Sequence, residues 1–410
     1  MEKYLYFQPE YVSRFKCDGL KCPNNCCERP WVIIIDKKTY EQYSRMEPPE
    51  AAKEICSHIE YNEPKEKYFL KDRPCPFLTK DKLCGIQLEY GENFLSQTCA
   101  IYPRTTHNFG KFFERALTLT CPVAAEMVLF AHEPMKFEFV EVPEKIHSNG
   151  GKIDIPIKMP ISNLAAELML EIQIALISIL QERTLTIDQR LIVLCFFVDR
   201  LEEIYSRGMD ADEQRKLIAA YESKKFLTEQ VPLMIQSVSF DATKFIGLMM
   251  EMFESFFGLR SGRPPEEIRL SLGRVTDLLQ IKPDKNNQIS ISAIAANYER
   301  LAGARRKFLA EYSTFLENYL VNELFLNLYP WKDHYRPSRS LSVFLIEYKV
   351  FELFVFAATQ AGFSGKDDLL KLVDWYTSEI DHGDCFKEKI FAYLEERKDF
   401  FELMETLLER

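Results

Sequence analysis

Eight of the 11 cysteines, all between residues 17 and 121, are the residues whose type and spacing could do chemistry. Cys17, Cys22, Cys26 and Cys27 fall within eleven residues, and the last two are adjacent. Neither a helix nor a strand calls for this spacing. A loop that wraps a metal does, because each thiolate must point inward from a different part of a short turn. The turn-forming residues between them are Gly19, Pro23, Asn24 and Asn25.

The other four cysteines of this set follow at longer range in the sequence. Proline comes directly after Cys22, Cys75 and Cys121. A proline removes a backbone donor and fixes the direction in which the chain leaves, and Cys-Pro recurs at the ends of iron–sulfur ligand runs. The candidate metal ligands are Cys17, Cys22, Cys26, Cys27, Cys75, Cys84, Cys99 and Cys121.

Disulfide bonds or simple packing could also account for cysteines. Their total is odd, and the first residues lack the apolar core of a secretory signal. We therefore expect a cytoplasmic protein, in which cysteine patterns more often bind metal than form disulfides. Packing as a small hydrophobe suits Cys56, Cys195 and Cys385. It does not account for four thiols in one turn-rich loop, so metal binding is the favoured interpretation.

The identity of the metal stays open between an iron–sulfur cluster and zinc, because soft thiolates suit both. Zinc sites often use Cys-x2-Cys pairs, and none occurs here. The Cys-x3-Cys-x2-Cys run associated with radical chemistry is absent too, since Arg29 stands where its third cysteine would be. The long, irregular spacings favour an iron–sulfur cluster, of the four-iron, four-sulfur type, with zinc as the alternative.

Short strands and turns are predicted around the cysteines, and helices alone beyond them. Trp31–Asp36 indicates a buried strand, while Lys37–Met46 and Pro49–Ile59 indicate helices. The composition changes over residues 131–160, which contain several prolines and the Gly150–Gly151 pair. We therefore expect a mainly α protein, with a small, irregular, cysteine-rich α+β domain that binds metal at residues 1–155 and a multi-helix domain at residues 156–410.

Apolar residues at helical spacing predict the elements of the second domain. The predicted helices are Leu164–Leu180, Glu213–Lys224, Lys244–Phe257, Glu266–Leu279, Ala293–Leu328, Ser340–Ala361, Asp367–Glu379 and Phe386–Leu408. A further helix carries Leu191 and Leu201 on one face and is apolar on most sides before Asp199. We expect that helix to be central.

The cysteine pattern with its flanking residues resembles the flagellin lysine N-methylase family. The stretches that carry the resemblance are the loop Cys17–Cys27 followed by Trp31, then Cys75–Leu78, Cys84–Ile86, Cys99–Arg104 and Leu117–Pro122. Two further stretches resemble the helical part of that family, namely Leu194–Leu201 and Glu317–Phe325, the latter followed by Tyr329 and Pro330. The front part also resembles a wider group of cysteine-rich zinc- or iron-chelating domains.

This resemblance implies methyl transfer from S-adenosylmethionine to lysine side chains of flagellin, by an enzyme that holds an iron–sulfur cluster. No Gly-x-Gly occurs in the chain, so a Rossmann-type cofactor site is not expected. Two groups could bind the amino-acid end of the cofactor. One is a cluster iron with a free coordination position, and the other is Arg104, which could bind a carboxylate bidentately. A structural ion pair is the other interpretation of Arg104. Its neighbour Tyr102 is the second candidate for the reacting site, and the weaker candidates are His107, Tyr298, Glu317, Tyr319 and Tyr335.

Charge and hydropathy limit the partners. A net charge of −10 argues against nucleic-acid binding, which normally needs a basic surface. The longest apolar run, Leu191–Val198, has eight residues, well short of the about 20 that a membrane span needs. We therefore expect no membrane or nucleic-acid partner. A non-enzymatic protein-binding module stabilised by metal is the alternative to the methyltransferase.

Overall fold

The computed structural model describes residues 3–143 apart from 18, 20, 21, 23, 24, 30, 110 and 111, and residues 166–410 apart from 209, 258–265, 333–335, 383 and 398. The chain divides into two compact units, one formed by Met1–Ala125 with Lys136–Ile153 and the other by Glu126–Met135 with Asp154–Arg410. The predicted boundary after residue 155 falls outside the described residues and stays a prediction. Below, the two are called the cysteine-rich unit and the helical unit.

The cysteine-rich unit consists of short strands, short helices and turns. Its strands are β1 (Lys3–Pro9), β2 (Ile34–Ile35), β3 (Ile59–Asn62), β4 (Lys67–Leu70), β5 (Arg104–Asn108), β6 (Phe113–Leu117) and β7 (Phe137–Pro143). Its helices are α1 (Glu10–Arg14), α2 (Lys37–Ser44), α3 (Pro49–Ser57), α4 (Gly85–Tyr90) and α5 (Gln97–Ile101), and α6 (Pro122–Leu129) runs into the helical unit. Single 3-10 turns lie at Cys26–Glu28, Glu63–Lys65 and Glu92–Phe94.

The larger sheet has the strand order β5-β6-β1-β7, so the first strand of the chain lies inside it. β1 runs parallel to β6 and antiparallel to β7. Its Tyr6 and Phe7 are both buried, and aromatic side chains of this kind favour a pleated, enclosed strand. The strand ends at Pro9, which has no N–H to donate to a further ladder bond.

The smaller sheet, in the order β2-β4-β3, packs with α2, α3 and α4 around a separate core. Ile35, Tyr43 and Leu70 are buried members of that core. Cys75 and Cys84 pack against it as partly buried residues. Two of the predicted metal ligands are therefore held by this core instead of lying on a free loop.

The helical unit contains helices throughout its described residues after 166. They are α7 (Ala166–Leu180), α8 (Ile187–Ser206), α9 (Ala211–Glu222), α10 (Lys224–Glu229), α11 (Val231–Ser237), α12 (Ala242–Phe257), α13 (Glu266–Leu279), α14 (Ile291–Arg300), α15 (Ala302–Glu311), α16 (Ser313–Leu326), α17 (Pro337–Gln360), α18 (Lys366–His382), α19 (Asp384–Glu396) and α20 (Phe400–Leu407). The predicted fold class, a small α+β unit followed by a helical one, is confirmed.

Helix α17 is the most enclosed element of the helical unit. Every residue from Ser340 to Ala358 is buried, and the helix packs against α8, α13, α18 and α20. Helix α8, which we expected to be central, is buried on most sides and begins with a capping box formed by Thr186 and Gln189. A helix with no polar face must be covered on all sides, and α17 meets this condition more completely than α8.

Two ion clusters are enclosed by these helices. In the first, the Lys349 ammonium lies 2.6 Å from Asp188 Oδ1 and 3.0 Å from Glu352 Oε2. In the second, Glu317 accepts hydrogen bonds from Arg190 at 2.7 Å and from Arg183 at 2.8 Å. Charges removed from water need such partners, because an unpaired buried ion is very costly. The clusters therefore fix how α8 packs against α16 and α17.

The prediction of one long helix over Ala293–Leu328 is wrong. The structure divides this stretch into α14, α15 and α16, with breaks at the single residues Leu301 and Tyr312. Neither residue is Pro or Gly, and each leaves the helical backbone with ψ near zero, at 2° and 11°. Breaks of one residue between apolar stretches carry no sequence signal. The prediction of one helix over Phe386–Leu408 is also wrong, because the structure divides this stretch into α19 and α20, and the Asp399 side chain caps the start of α20.

Two shorter predictions are also corrected. The strand expected over Trp31–Asp36 is only two residues long, because β2 covers Ile34–Ile35. Helices α10 and α11 were not predicted. Among the described residues, no helix combines the length and the apolar character that crossing a bilayer requires.

Candidate metal centre and neighbouring residues

A 3-10 turn positions the adjacent cysteines Cys26 and Cys27. Asn25 caps this turn, since its Oδ1 accepts a hydrogen bond from the Cys27 N–H at 2.9 Å. The Asn25 amide also donates to the Lys82 carbonyl at 2.5 Å. Asn25 is buried, so a single short side chain both shapes the turn and ties it to the segment that leads into Cys84.

The segment from Cys75 to Gly85 brings two further thiols to this turn. The Cys75 N–H donates to the Cys27 carbonyl at 2.8 Å, and the Gly85 N–H donates to the Phe77 carbonyl at 2.7 Å. A Cβ atom at Gly85 would approach that carbonyl oxygen to 3.0 Å. A side chain at residue 85 would therefore press on this carbonyl, which would have to shift by a few tenths of an ångström.

Four thiols converge where these segments meet. The Cys27 thiol shares hydrogen bonds with the thiols of Cys26, Cys75 and Cys84. These bonds lower the pKa of Cys26 to about 7, that of Cys84 to about 6, and that of Cys75 as well, and they raise the pKa of Cys27. Metal ligands of this type must be thiolates. Partial ionisation near neutral pH therefore suits these side chains to receive a metal.

Cys99 lies beside this group, and its position is fixed from helix α2. Ser96 caps α5 by accepting a hydrogen bond from the Cys99 N–H at 3.4 Å, and Asp36 at the start of α2 accepts from the Gln97 N–H at 2.9 Å. Although the Cys99 residue is exposed to solvent, the protein atoms around its sulfur raise the pKa of the thiol to about 12. The nearby sulfurs of Cys26 and Cys84 act in the same direction.

The remaining predicted ligands form a second set. Cys121 precedes α6, and burial raises the pKa of its thiol to about 12, with Cys22 and Cys17 as neighbouring charges that raise it further. Cys121 is buried and Cys17 is exposed. The structure thus places the eight predicted cysteines in two sets, one of Cys26, Cys27, Cys75 and Cys84 with Cys99 beside it, and one of Cys17, Cys22 and Cys121. Their role as ligands stays a prediction.

The donor chemistry of the first set fits a metal that prefers sulfur, but the side chains are not yet arranged around a common centre. Among the described residues, no group of three or more His, Cys, Asp or Glu side chains could hold a metal ion as it stands. The Cys27 thiol shares hydrogen bonds with the thiols of the other three cysteines. The convergence of the four sulfurs therefore indicates a metal without fixing its coordination geometry.

Tyr102 and Arg104, the candidates for the reacting site, lie near the second set of thiols. The Tyr102 ring lies 5.3 Å from that of Trp31, and its hydroxyl is 3.4 Å from Thr120 Oγ1. Burial raises the pKa of the Tyr102 hydroxyl, and the Cys121 thiol nearby raises it further. A phenol that stays protonated can donate a hydrogen bond but cannot act as a base at neutral pH.

The Arg104 guanidinium carbon lies 5.2 Å from the centre of the Phe15 ring. Burial lowers its pKa, while Glu92, Cys17 and Cys121 are the negative groups that oppose this effect. Among the described residues, no carboxylate lies within ion-pair distance of Arg104. The alternative interpretation of Arg104 as one half of a structural ion pair therefore finds no partner in the part of the chain that the structure describes.

The weaker candidates are less favoured by their surroundings. Glu317 is engaged by two arginines, Tyr319 stacks on Phe351 at 3.8 Å, and Tyr298 is buried beneath Arg305. All three belong to the helical unit, whereas His107 lies on β5 opposite Glu114. Tyr335 falls outside the described residues. Arg115 on β6, a buried arginine close to Arg104, was not recognised from the sequence.

Comparisons with known proteins match both parts of the chain. A family model described as FliB lysine N-methylase C-terminal domain matches residues 173–408. A protein named Lysine-N-methylase from Salmonella typhimurium is 20% identical over 402 residues, which are 96% of each chain. A protein of the same name from Salmonella choleraesuis has the same identity and coverage.

A shorter relative matches one part only. The flagellar biosynthetic protein FliU of Salmonella muenchen is 27% identical over 135 residues, which are 32% of this chain and 79% of that protein. No solved structure matches the chain significantly.

Proposed function

Because the chain belongs to the FliB lysine N-methylase family, we propose that it is a protein-lysine N-methyltransferase. The observation that carries the proposal is the family match over residues 173–408, which is more than half of the chain. Relatives named Lysine-N-methylase extend the similarity over 96% of the chain, cysteine-rich unit included. A non-enzymatic binding module would account for the thiols but gives no reason for similarity to methylases across both units.

We propose flagellin as the protein substrate. The names FliB and FliU, the latter described as a flagellar biosynthetic protein, support a flagellar role. The net charge of −10 also suits a substrate that offers lysine side chains, because opposite charge raises the rate of encounter. This attraction is screened by salt, with a Debye length of about 10 Å at 0.1 M ionic strength.

S-adenosylmethionine is proposed as the methyl donor. In this reaction the lysine Nζ must first lose a proton, since its ordinary pKa is about 10.4. The free electron pair then attacks the methyl carbon, the bond from that carbon to the sulfonium sulfur breaks, and S-adenosylhomocysteine leaves with the sulfur electron pair. The released proton passes to solvent or to a base. Desolvation of the lysine side chain would lower its pKa and favour this step.

Cys26, Cys27, Cys75 and Cys84 are the residues proposed to hold a metal centre, with Cys99 beside them. The ligand softness and the irregular spacing favour an iron–sulfur cluster over zinc. Such a cluster would supply a fixed, negatively charged thiolate centre that stabilises the unit when bound. Asn25 and Gly85 would act as supports, because they shape the two turns that carry these thiols. Optical absorption at about 400 nm that dithionite bleaches would identify iron–sulfur, and a colourless protein that contains zinc would identify the alternative.

The proposed function is tested by incubating the anaerobically purified protein with flagellin and S-adenosylmethionine, followed by intact-mass spectrometry of flagellin. We expect mass increments of whole methyl groups that require both enzyme and donor. A flagellin preparation lacking its lysine amines through prior acetylation is the control and should gain no methyl groups. Unchanged flagellin under conditions where the protein is folded and metal-loaded would contradict the proposal.

A further inference from the structure

Arg115 is a buried cation on one face of the larger sheet. It lies on β6 directly opposite Thr106 of β5, so the two side chains share a face. Only 4% of the residue is exposed. Its guanidinium carbon lies 3.6 Å from the centre of the Tyr6 ring on β1, within the range of a cation–π interaction. The side chain is therefore held between strands and has little contact with solvent.

No negative group balances this charge in the part of the chain that the structure describes. Arg115 Nε and Nη2 have no hydrogen-bond partner. The neighbouring carboxylate, Glu114, projects to the opposite face because successive side chains of a strand alternate. Burying a charged group without a partner is strongly unfavourable, and an arginine cannot escape the cost by losing its proton. A buried guanidinium with free donors indicates that an anion belongs beside it.

Arg104 adds a second cation to the same face. It lies two residues along β5 from Thr106, and the diagonal neighbour of Arg115 on such a ladder is about 7–8 Å away. Burial lowers the pKa of Arg115, and repulsion from the charge of Arg104 lowers it further. This repulsion is consistent with the short distance between the two side chains on the ladder. Arg104 is half-buried, so this end of the pair is open to solvent.

The thiols do not balance both cations. Cys17 and Cys121 act on Arg104, as does Glu92, whereas the groups that act on Arg115 are Tyr6 and Arg104. Thiolates of the second set, with or without a metal, would offset the charge of Arg104. Arg115 would still lack an anion. The missing negative group must therefore come from outside the described chain.

We propose that Arg115 and Arg104 together bind the α-carboxylate of the sulfonium methyl donor. This inference rests on the proposed function, which requires such a donor. A planar guanidinium matches a carboxylate with two parallel hydrogen bonds. The chain has no Gly-x-Gly loop that would anchor the donor elsewhere. Arg115 would form the inner, fixed part of the site, and Arg104 the outer part through which the ligand enters.

The test compares binding of S-adenosylmethionine with binding of its decarboxylated form by isothermal titration calorimetry, using the full-length metal-loaded protein without flagellin. Wild-type protein is expected to prefer the carboxylated donor by about tenfold or more, as for a hydrogen bond to a charged group. Arg115→Lys keeps the charge but loses the fork, and should reduce this preference by about tenfold. Arg104→Lys, at a less buried position, should reduce it by a smaller factor. Arg45→Lys is the matched control, since Arg45 is mostly exposed, and should change nothing.

Arg115→Met gives a second, independent readout. If the charge of Arg115 is unbalanced in the ligand-free protein, replacing Arg115 by Met should leave the melting temperature of that protein unchanged or higher, because an unbalanced buried charge is lost. A structural arginine would instead lower it. If Arg115→Met fails to fold, the claim that the buried charge of Arg115 is unbalanced is overturned. Arg115→Lys then still tests whether Arg115 contacts the carboxylate of the donor.

Three results would overturn the inference. The first is equal binding of both donor forms by the wild type, which would leave a cluster iron or another group as the anchor. The second is a full preference for the carboxylated donor in both Arg115→Lys and Arg104→Lys. The third is loss of metal from Arg115→Lys with that preference kept, which would make Arg115 a counter-charge to the thiolates. In each case methylation of flagellin by the wild type would show that the proposed function survives. Wild-type protein that neither binds donor nor methylates flagellin would remove both.

Discussion

Replacing Lys349 by Met is expected to destabilise the helical unit strongly. The Lys349 ammonium contacts Asp188 at 2.6 Å and Glu352 at 3.0 Å, and its side chain is 3% exposed. Without it two carboxylates remain in the core, and breaking a buried ion pair in this way costs about 3–5 kcal/mol. Asp188 keeps a hydrogen bond from the Glu409 N–H at 2.9 Å, so Glu352 bears more of this penalty. A loss of about 4 kcal/mol corresponds to a decrease in Tm of about 10 °C for a unit of this size.

Tryptophan fluorescence during heating measures this effect, because two of the three tryptophans, Trp331 and Trp375, are buried in the helical unit. Adding Glu352→Gln to Lys349→Met should recover about half of the lost stability, since a neutral amide replaces the stranded carboxylate. Lys244→Met is the control: its ion pair with Glu402 lies at the surface and should be worth less than about 1 kcal/mol. A Lys349→Met protein as stable as this control would refute the reasoning, because it would mean that the cluster contributes no net stabilisation.

The remaining predictions concern the thiols. Cys27→Ser should lose the bound metal, whereas Cys56→Ser should keep it, since Cys56 lies outside both thiol sets. Inductively coupled plasma mass spectrometry measures the metal content. Equal metal content in the two variants would contradict the assignment of Cys27 as a ligand. In metal-free protein the pKa of Cys84 is lowered to about 6, so its thiol is largely ionised at neutral pH, whereas the pKa of Cys121 is raised to about 12. Iodoacetamide at neutral pH should therefore alkylate Cys84 before Cys121. The reverse order in peptide mass spectra would contradict this prediction. Gly85→Ala should weaken metal binding, because the new Cβ would meet the Phe77 carbonyl at 3.0 Å. The expected loss is about tenfold, in the range seen when groups that support metal ligands are changed. An unchanged metal affinity in a competition titration with a chelator would show that Gly85 does not support the site.

The division of the chain into a cysteine-rich part and a helical part could be predicted, because both rest on local patterns. Thiol density in a turn-rich stretch indicates a metal loop, and apolar spacing indicates helices. Which thiols come together could not be predicted. That grouping depends on contacts such as the hydrogen bond from Asn25 to the Lys82 carbonyl, which joins residues 57 positions apart. No spacing in the sequence records such a contact.

Arg115 shows a second limit of the sequence. Arginine is mostly a surface residue, so nothing in the composition suggested a buried one. The alternation of Phe113, Arg115 and Leu117 along β6 would have placed all three on one face if the strand had been recognised. Its burial depends on Tyr6, which reaches this face only because β1 pairs with β6 across more than one hundred residues. The central position of α17 likewise depends on the helices that surround it.

The central claim is that this chain transfers methyl groups from S-adenosylmethionine to lysine side chains of flagellin. Its most direct test uses donor labelled in the methyl group, and compares the label found on flagellin peptides with the S-adenosylhomocysteine formed in the same reaction. We expect one S-adenosylhomocysteine for each labelled methyl group, with every label on a lysine Nζ. Label on other side chains, S-adenosylhomocysteine without label on flagellin, or no transfer at all by folded, metal-loaded protein would contradict the claim.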